Sequence, residues 1–119
     1  MAVVDDSDSV RESLPDLLEQ VGFAVRAFES AEAFLASHAV DEVNVLILDV
    51  GLPGMSGPEL QQELKRRGKT FPIVFITAQG DKSLAPRLVA AGAAACLFKP
   101  FNDESLLGAV ESALKKRDV

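Results

Sequence analysis

The run Val43-Asn44-Val45-Leu46-Ile47-Leu48, which ends against Asp49, is apolar on both faces and rich in β-branched side chains. A strand of this kind is covered on both sides, the condition of a central strand in a parallel sheet. Ile73-Val74-Phe75-Ile76 has the same character. Weaker strand patterns over residues 2–4, 24–28 and 94–98 bring the expected number to five.

The segments between these runs have helical period. Val10, Leu14, Leu17, Leu18 and Val21 form one stripe that Gly22 ends. Ser30 caps a short second helix carrying Ala33, Phe34 and Leu35. The third starts around Ser56-Gly57-Pro58-Glu59, with Pro58 suited to a first helical position, and closes at Gly68. Asp81 or a neighbour opens a fourth, with Leu84, Leu88 and Val89. Asn102 caps a fifth, with Leu106, Leu107, Val110 and Leu114. Five strands alternating with five helices imply right-handed crossovers and a doubly wound α/β sheet with helices on both faces. Pro15 and Pro86 fall inside the first and fourth helices, which must therefore start late or bend.

With 119 residues, 48% hydrophobic and 25% charged, the chain reads as one globular domain, 1–119. A net charge of −6 argues against nucleic-acid binding by this domain, which would need a clustered basic face. The basic runs Lys65-Arg66-Arg67 and Lys115-Lys116-Arg117 each close a helical pattern, where cations meet the negative end of the helix dipole. One cysteine, Cys96, forms no internal disulfide, and no signal peptide opens the chain, so a cytoplasmic location is expected. The longest apolar stretch, 88–98, contains Gly92 and is far short of the roughly 20 residues of a membrane helix.

Polar residues stand where the strand patterns end: Asp5-Asp6, Asp49, Thr77 and Lys99. In open α/β sheets ligands bind at this carboxyl edge, beside the point where strand order reverses. Three carboxylates gathered there repel one another unless a cation is present, and an all-oxygen donor set suits Mg²⁺. A carboxylate such as Asp49 can attack phosphorus, with Mg²⁺ and Lys99 neutralising the developing charge. The Thr77 hydroxyl would bond a phosphoryl oxygen, and small Ala78 would let its N–H approach. Taken singly, Asp5-Asp6 reads better as a helix cap, Thr77 as a strand end and Lys99 as a surface cation. Their coincidence at four strand ends favours a site. His38 reads as an exposed loop residue without a role.

Val4-Asp5-Asp6, the run from Leu48-Asp49-Val50-Gly51 through Leu52-Pro53-Gly54-Met55-Ser56-Gly57, Ile76-Thr77-Ala78, Ala91-Gly92-Ala93 and Lys99-Pro100-Phe101 occur in this order. In these motifs the chain resembles the receiver domain of two-component response regulators over essentially its whole length. Phe28, Ser30-Ala31-Glu32, Phe34-Leu35 and Gly80-Asp81 resemble the subfamily that precedes a helix-turn-helix (LuxR-type) DNA-binding domain.

The resemblance implies a flavodoxin-like sheet in the order 2-1-3-4-5. It makes Asp49 the phosphoacceptor, Asp6 and Asp49 direct Mg²⁺ ligands, Asp5 a ligand mainly through water, and Gly51 a ligand by its carbonyl. Thr77 and Lys99 become the switch hydroxyl and the phosphate partner, and Pro100 follows a cis peptide bond. Gln79 and Gly51 occupy positions that influence phosphate lifetime. The implied donor is a sensor histidine kinase or a histidine phosphotransfer protein. The implied output is transcription, by way of a changed fourth helix, fifth strand and fifth helix face through which the phosphorylated form is expected to dimerise or to bind a partner. Such a domain is not an enzyme beyond its own phosphorylation and slow dephosphorylation.

The best expectation for the chain is a piece of a DNA-binding regulator, the alternative being the receiver of a hybrid histidine kinase. A magnesium phosphohydrolase is the reading from another class. It lacks the second aspartate that haloacid-dehalogenase-like enzymes carry two residues on, where Gly51 stands. A degenerate receiver would have lost the acids or the lysine. One departure stands out: Cys96 occupies the place, three residues before the lysine, of the family's usual Tyr or Phe. Phe98 is expected to face the other side of the sheet and so not to replace it.

Overall fold

The computed structural model describes residues 1–78 and 84–117. Five strands form one parallel sheet in the order β2-β1-β3-β4-β5: β1 (Ala2–Val4), β2 (Arg26–Phe28), β3 (Leu46–Asp49), β4 (Ile73–Ala78) and β5 (Ala95–Lys99). The helices among the described residues are α1 (Asp8–Gln20), α2 (Ala31–Ala36), α3 (Ala39–Glu42), α4 (Gly57–Arg66), α5 (Leu84–Ala90) and α6 (Asp103–Arg117). Doubly wound α/β architecture and strand order are therefore as expected.

Strand parity divides the core in two. Val4, Leu46, Leu48 and Phe75 pack with Ala31, Phe34, Leu60, Leu64 and Leu88, so α2 to α5 cover one face. Val3, Val45, Ile47, Val74 and Ile76 pack with Leu14, Leu18, Leu106 and Val110, so α1 and α6 cover the other. Adjacent residues of β3 and β4 serve opposite cores, which is why these runs lack polar alternation. The sequence winds outward from the β1–β3 pair in both directions, and that pair is the topological switch point.

Local chemistry sets several boundaries. The Ser30 hydroxyl accepts from Ala33 N–H at 3.0 Å to start α2, and the Asn102 side chain accepts from Ser105 N–H at 2.7 Å to start α6. Ser56 and Glu59 form a reciprocal capping box at α4, with Pro58 in its first turn. Gly22, at φ 100°, closes α1: its N–H donates to Glu19 O and that of Phe23 to Leu18 O. Lys65 donates to Ala91 O across to the end of α5, while Arg66 and Arg67 both bond Glu63. Glu63 is held down to about 2 by these two partners. The side chains of Lys116 and Arg117 lie outside the described residues.

Four expectations need correction. Strict alternation of five helices fails because a further short helix, α3, follows the expected second helix, α2. Ser37 turns extended there, its hydroxyl donating to Phe34 O and accepting from Ala39 N–H. The expected fourth and fifth helices are thus α5 and α6. Val21 leaves the α1 stripe and is 51% exposed, since the helix ends at Gln20. Thr77 and Lys99 lie within β4 and β5 rather than after them. Phe98 does not oppose Cys96: the two stand two residues apart in β5, so they share a face, while Ala95 and Leu97 join the other core. Pro15 is accommodated at the eighth position of α1, and Pro86 falls in the first described turn of α5. The Asp81 helix start and the Gly80-Asp81 motif lie outside the described residues.

Gly57 couples α4 to the end of β3. A Cβ there would stand 2.5 Å from the Asp49 carbonyl oxygen and 2.9 Å from Val50 Cα. Gly57→Ala is expected to cost about 1–3 kcal/mol by overpacking, read as a lowered urea midpoint with an unchanged slope; an unchanged midpoint would show the helix start free to shift.

Candidate phosphoacceptor and metal site

Asp5, Asp6 and Asp49 are brought together by topology. Asp5 follows β1, Asp49 ends the neighbouring β3, and the pairing of Val4 with Leu48 sets their carboxyl ends level. One carboxylate oxygen from each of the three lies within 4.8 Å of the others. Asp5 is fully buried, Asp49 is 6% exposed and Asp6 faces solvent.

Asp5 is held from several sides. Its Oδ1 accepts from Ser7 N–H at 2.8 Å and its Oδ2 from Lys99 Nζ at 3.0 Å. Its backbone N–H donates to Phe28 O at 3.1 Å, and its carbonyl accepts from Arg11 Nη1 at 2.9 Å. Arg11, which also bonds Asp8, had no signal in the motif; its spacing reads as an ordinary surface pair on α1. The Ser7 N–H bond closes a local turn two residues on, and α1 itself starts from Ser7 without a side-chain cap bond, so the helix-cap reading of Asp5 is not met.

Asp49 is less well supported. Its Oδ1 accepts a long bond from Gly51 N–H at 3.4 Å and stands 3.9 Å from Lys99 Nζ. Burial pushes its carboxyl above the usual carboxylate range, and the Asp5 and Asp6 charges push the same way, while Lys99 and the Gly51 N–H oppose them. One ammonium against three carboxylates leaves a surplus of negative charge at a mostly buried point. An oxygen-only donor set of this kind fits a hard divalent cation. Gly51 is exposed beside Asp49. The Lys99–Pro100 peptide bond is cis.

Thr77 is half-buried, in register with Phe98 and one step beyond Ile76, the β4 partner of Asp49. Its hydroxyl donates a long 3.4 Å bond to Ala78 O. Ala78 is exposed. Cys96 is half-buried against the α2 to α5 core, and burial raises its thiol pKa. Gln79 lies outside the described residues. His38 is exposed and precedes α3 without a side-chain cap. Among the described residues no helix is long and apolar enough to cross a membrane.

Asp49→Asn removes the charge that burial and Asp5 disfavour. Because the folded pKa lies above the unfolded one, ionisation of Asp49 weakens folding as pH rises through that interval and fully so above it. The variant is therefore expected to unfold at higher urea than the parent at neutral pH without added metal. The gain should vanish below the ordinary carboxylate range, and no gain at neutral pH would contradict it.

A family model described as the response regulator receiver domain matches residues 1–111. The chain is 42% identical over 113 residues to the response regulator protein TodT of Pseudomonas putida, covering 95% of this chain and 50% of that one. It is 43% identical over 112 residues to the transcriptional regulatory protein FixJ of Azorhizobium caulinodans, covering 94% and 53%. The solved structure of the response regulator StyR superposes with a TM-score of 0.88 at 46% identity, covering 96% of this chain and 58% of that one. The chain spans about half the length of the curated relatives it matches.

Proposed function

The chain belongs to the response regulator receiver domain family, and on that premise we propose that it is the phosphoacceptor switch of a two-component system, with Asp49 as acceptor. The observation that carries this is the gathering of Asp5, Asp6 and Asp49 within 4.8 Å, with Lys99 reaching both buried members.

In this reading Asp6, Asp49 and the Gly51 carbonyl would hold Mg²⁺, with Asp5 supporting the site beside them. The bound ion supplies the positive charge that lets a phosphate approach three carboxylates. A carboxylate oxygen of Asp49 forms the new bond to phosphorus as the P–N bond of a phosphohistidine breaks, and the departing imidazole takes up a proton. Lys99, set between Asp5 and Asp49, follows the charge onto the transferred group. The Thr77 hydroxyl, whose bond to Ala78 O is long, would turn to donate to a phosphoryl oxygen. The donor is a sensor histidine kinase or a histidine phosphotransfer protein. The chemistry is the domain's own phosphorylation and slow dephosphorylation, not turnover of other substrates. The family match favours this over a phosphohydrolase.

Inward movement of Thr77 would be felt by α5, β5 and α6. Phe98 is the β5 residue in register with Thr77 and shares the Cys96 face. We take residues 1–119 as one receiver domain, cytoplasmic, that governs transcription through an output domain of the kind the names of its relatives suggest; any DNA contact would belong to that output domain. The receiver of a hybrid kinase remains the alternative setting.

Incubation with Mg²⁺ and acetyl phosphate is expected to add one phosphoryl mass by intact mass spectrometry. An adduct that survives in Asp49→Asn, or none in the parent, would sink the assignment. Exposed Val89 lies on α5 of the output face. Phosphorylation is expected to raise the mass seen by light scattering toward a dimer, and Val89→Lys to abolish that rise; an unchanged mass for the parent would remove dimerisation through this face.

A further inference from the structure

The sequence stretch from Ser30 to Leu35 contributes no residue to the acidic centre, yet it reaches the connection that follows Asp49. Ser30 caps α2, and Ala31 and Phe34 are fully buried, so the helix has a fixed start and a fixed seat. Glu32 leaves the second position of α2, one residue after buried Ala31. Its Oε2 accepts from the Met55 N–H at 3.0 Å across 23 residues of sequence. The same oxygen occupies the space beside Gly54, where a Cβ would come within 2.6 Å of it. Gly54 has φ 72°, so the backbone there is both bare and turned to fit the carboxylate.

That backbone belongs to the link between β3 and α4. Its ends are secured by Val50 N–H on Ile76 O and by the Ser56 capping box, and Leu52 is buried. Gly51, Pro53 and Gly54 are exposed, and two of the three are glycines with much conformational freedom to lose. Gly51 is the residue whose N–H bonds Asp49 and whose carbonyl the proposed metal site uses. A clasp at Gly54–Met55 shortens the free part of the link to the few residues around Leu52.

We infer that Glu32 is a positioning residue for the phosphoacceptor site: it clasps the backbone at Gly54–Met55 and thereby fixes the link that carries Gly51. The inference rests on the receiver reading of Asp49 given above. The Met55 N–H also holds the Glu32 carboxyl below its usual range, so the clasp stays charged at neutral pH.

The test compares the full chain with Glu32→Ala and with Glu32→Gln, which keeps an oxygen acceptor. Three readouts are taken: Met55 amide exchange by NMR without metal, Mg²⁺ affinity by titration calorimetry, and the initial rate of phosphoryl adduct formation from acetyl phosphate. Glu32→Ala is expected to speed Met55 exchange and to lower both affinity and rate about fivefold, the size of one charge-assisted hydrogen bond at an exposed position. Glu32→Gln should recover most of each, with urea midpoints of all three chains close together. Affinity and rate unchanged in Glu32→Ala would overturn the inference, as would a Glu32→Gln variant as impaired as Glu32→Ala, which would mark a charge effect rather than a clasp. If the parent binds Mg²⁺ but takes no phosphate, the receiver reading fails while exchange and affinity still decide the clasp. A parent that does neither overturns both.

Discussion

Two buried carboxylates share one lysine. Asp5 and Asp49 sit side by side because β1 and β3 are paired neighbours, and Lys99 comes to them from the far edge of the sheet. The sharing is unequal: Asp5 has the shorter ion pair and a backbone donor besides, while Asp49 has two long contacts and a raised pKa. Asp5 is thus the more firmly bonded of the pair and Asp49 the less. A buried carboxylate in that condition gains from a metal ion and from conversion to an acyl phosphate, the two events the proposed function requires.

The fold supplies what this arrangement needs. Each central strand serves one core with alternate residues and the other core with those between, so the sheet is clamped from both sides and its carboxyl edge is a rigid platform. The start of α4 is pressed against the Asp49 carbonyl at Gly57. Glu32 reaches the intervening link from α2. Elements on one face of the sheet thereby set the backbone around the acceptor, while Lys99 and Thr77 arrive from β5 and β4. Under the proposed function a change in the bonding of Thr77 would reach β5 and α5, where Phe98 and exposed Val89 stand.

Strands were legible because β3 and β4 lie between two cores, and a short uninterrupted apolar run rich in β-branched residues suits a strand covered on both faces. Caps at Ser30 and Asn102 were legible because a side-chain oxygen before an apolar stripe has a specific local use. The site residues were legible by a different route, as polar residues where apolar runs stop. What escaped was set by tertiary contact or by local competition. The extra helix α3 follows Ser37, whose two hydroxyl bonds turn the chain between α2 and α3 and are announced by no periodicity. Arg11 and Glu32 look like surface charges until the chain folds and brings Asp5 and Met55 to them. Phe98 was a matter of parity: counted along β5 it lies on the Cys96 face, and the structure shows Ala95 and Leu97 on the other.

The assignment of Asp49 is tested most directly by trapping the acyl phosphate. Borohydride reduces an acyl phosphate to the alcohol and leaves free carboxylates alone, so the chain is treated with Mg²⁺ and acetyl phosphate, reduced, digested and sequenced by tandem mass spectrometry. Conversion of Asp49 to homoserine, dependent on both reagents, is the result expected. Homoserine at position 5 or 6, or at none of the three, would contradict it.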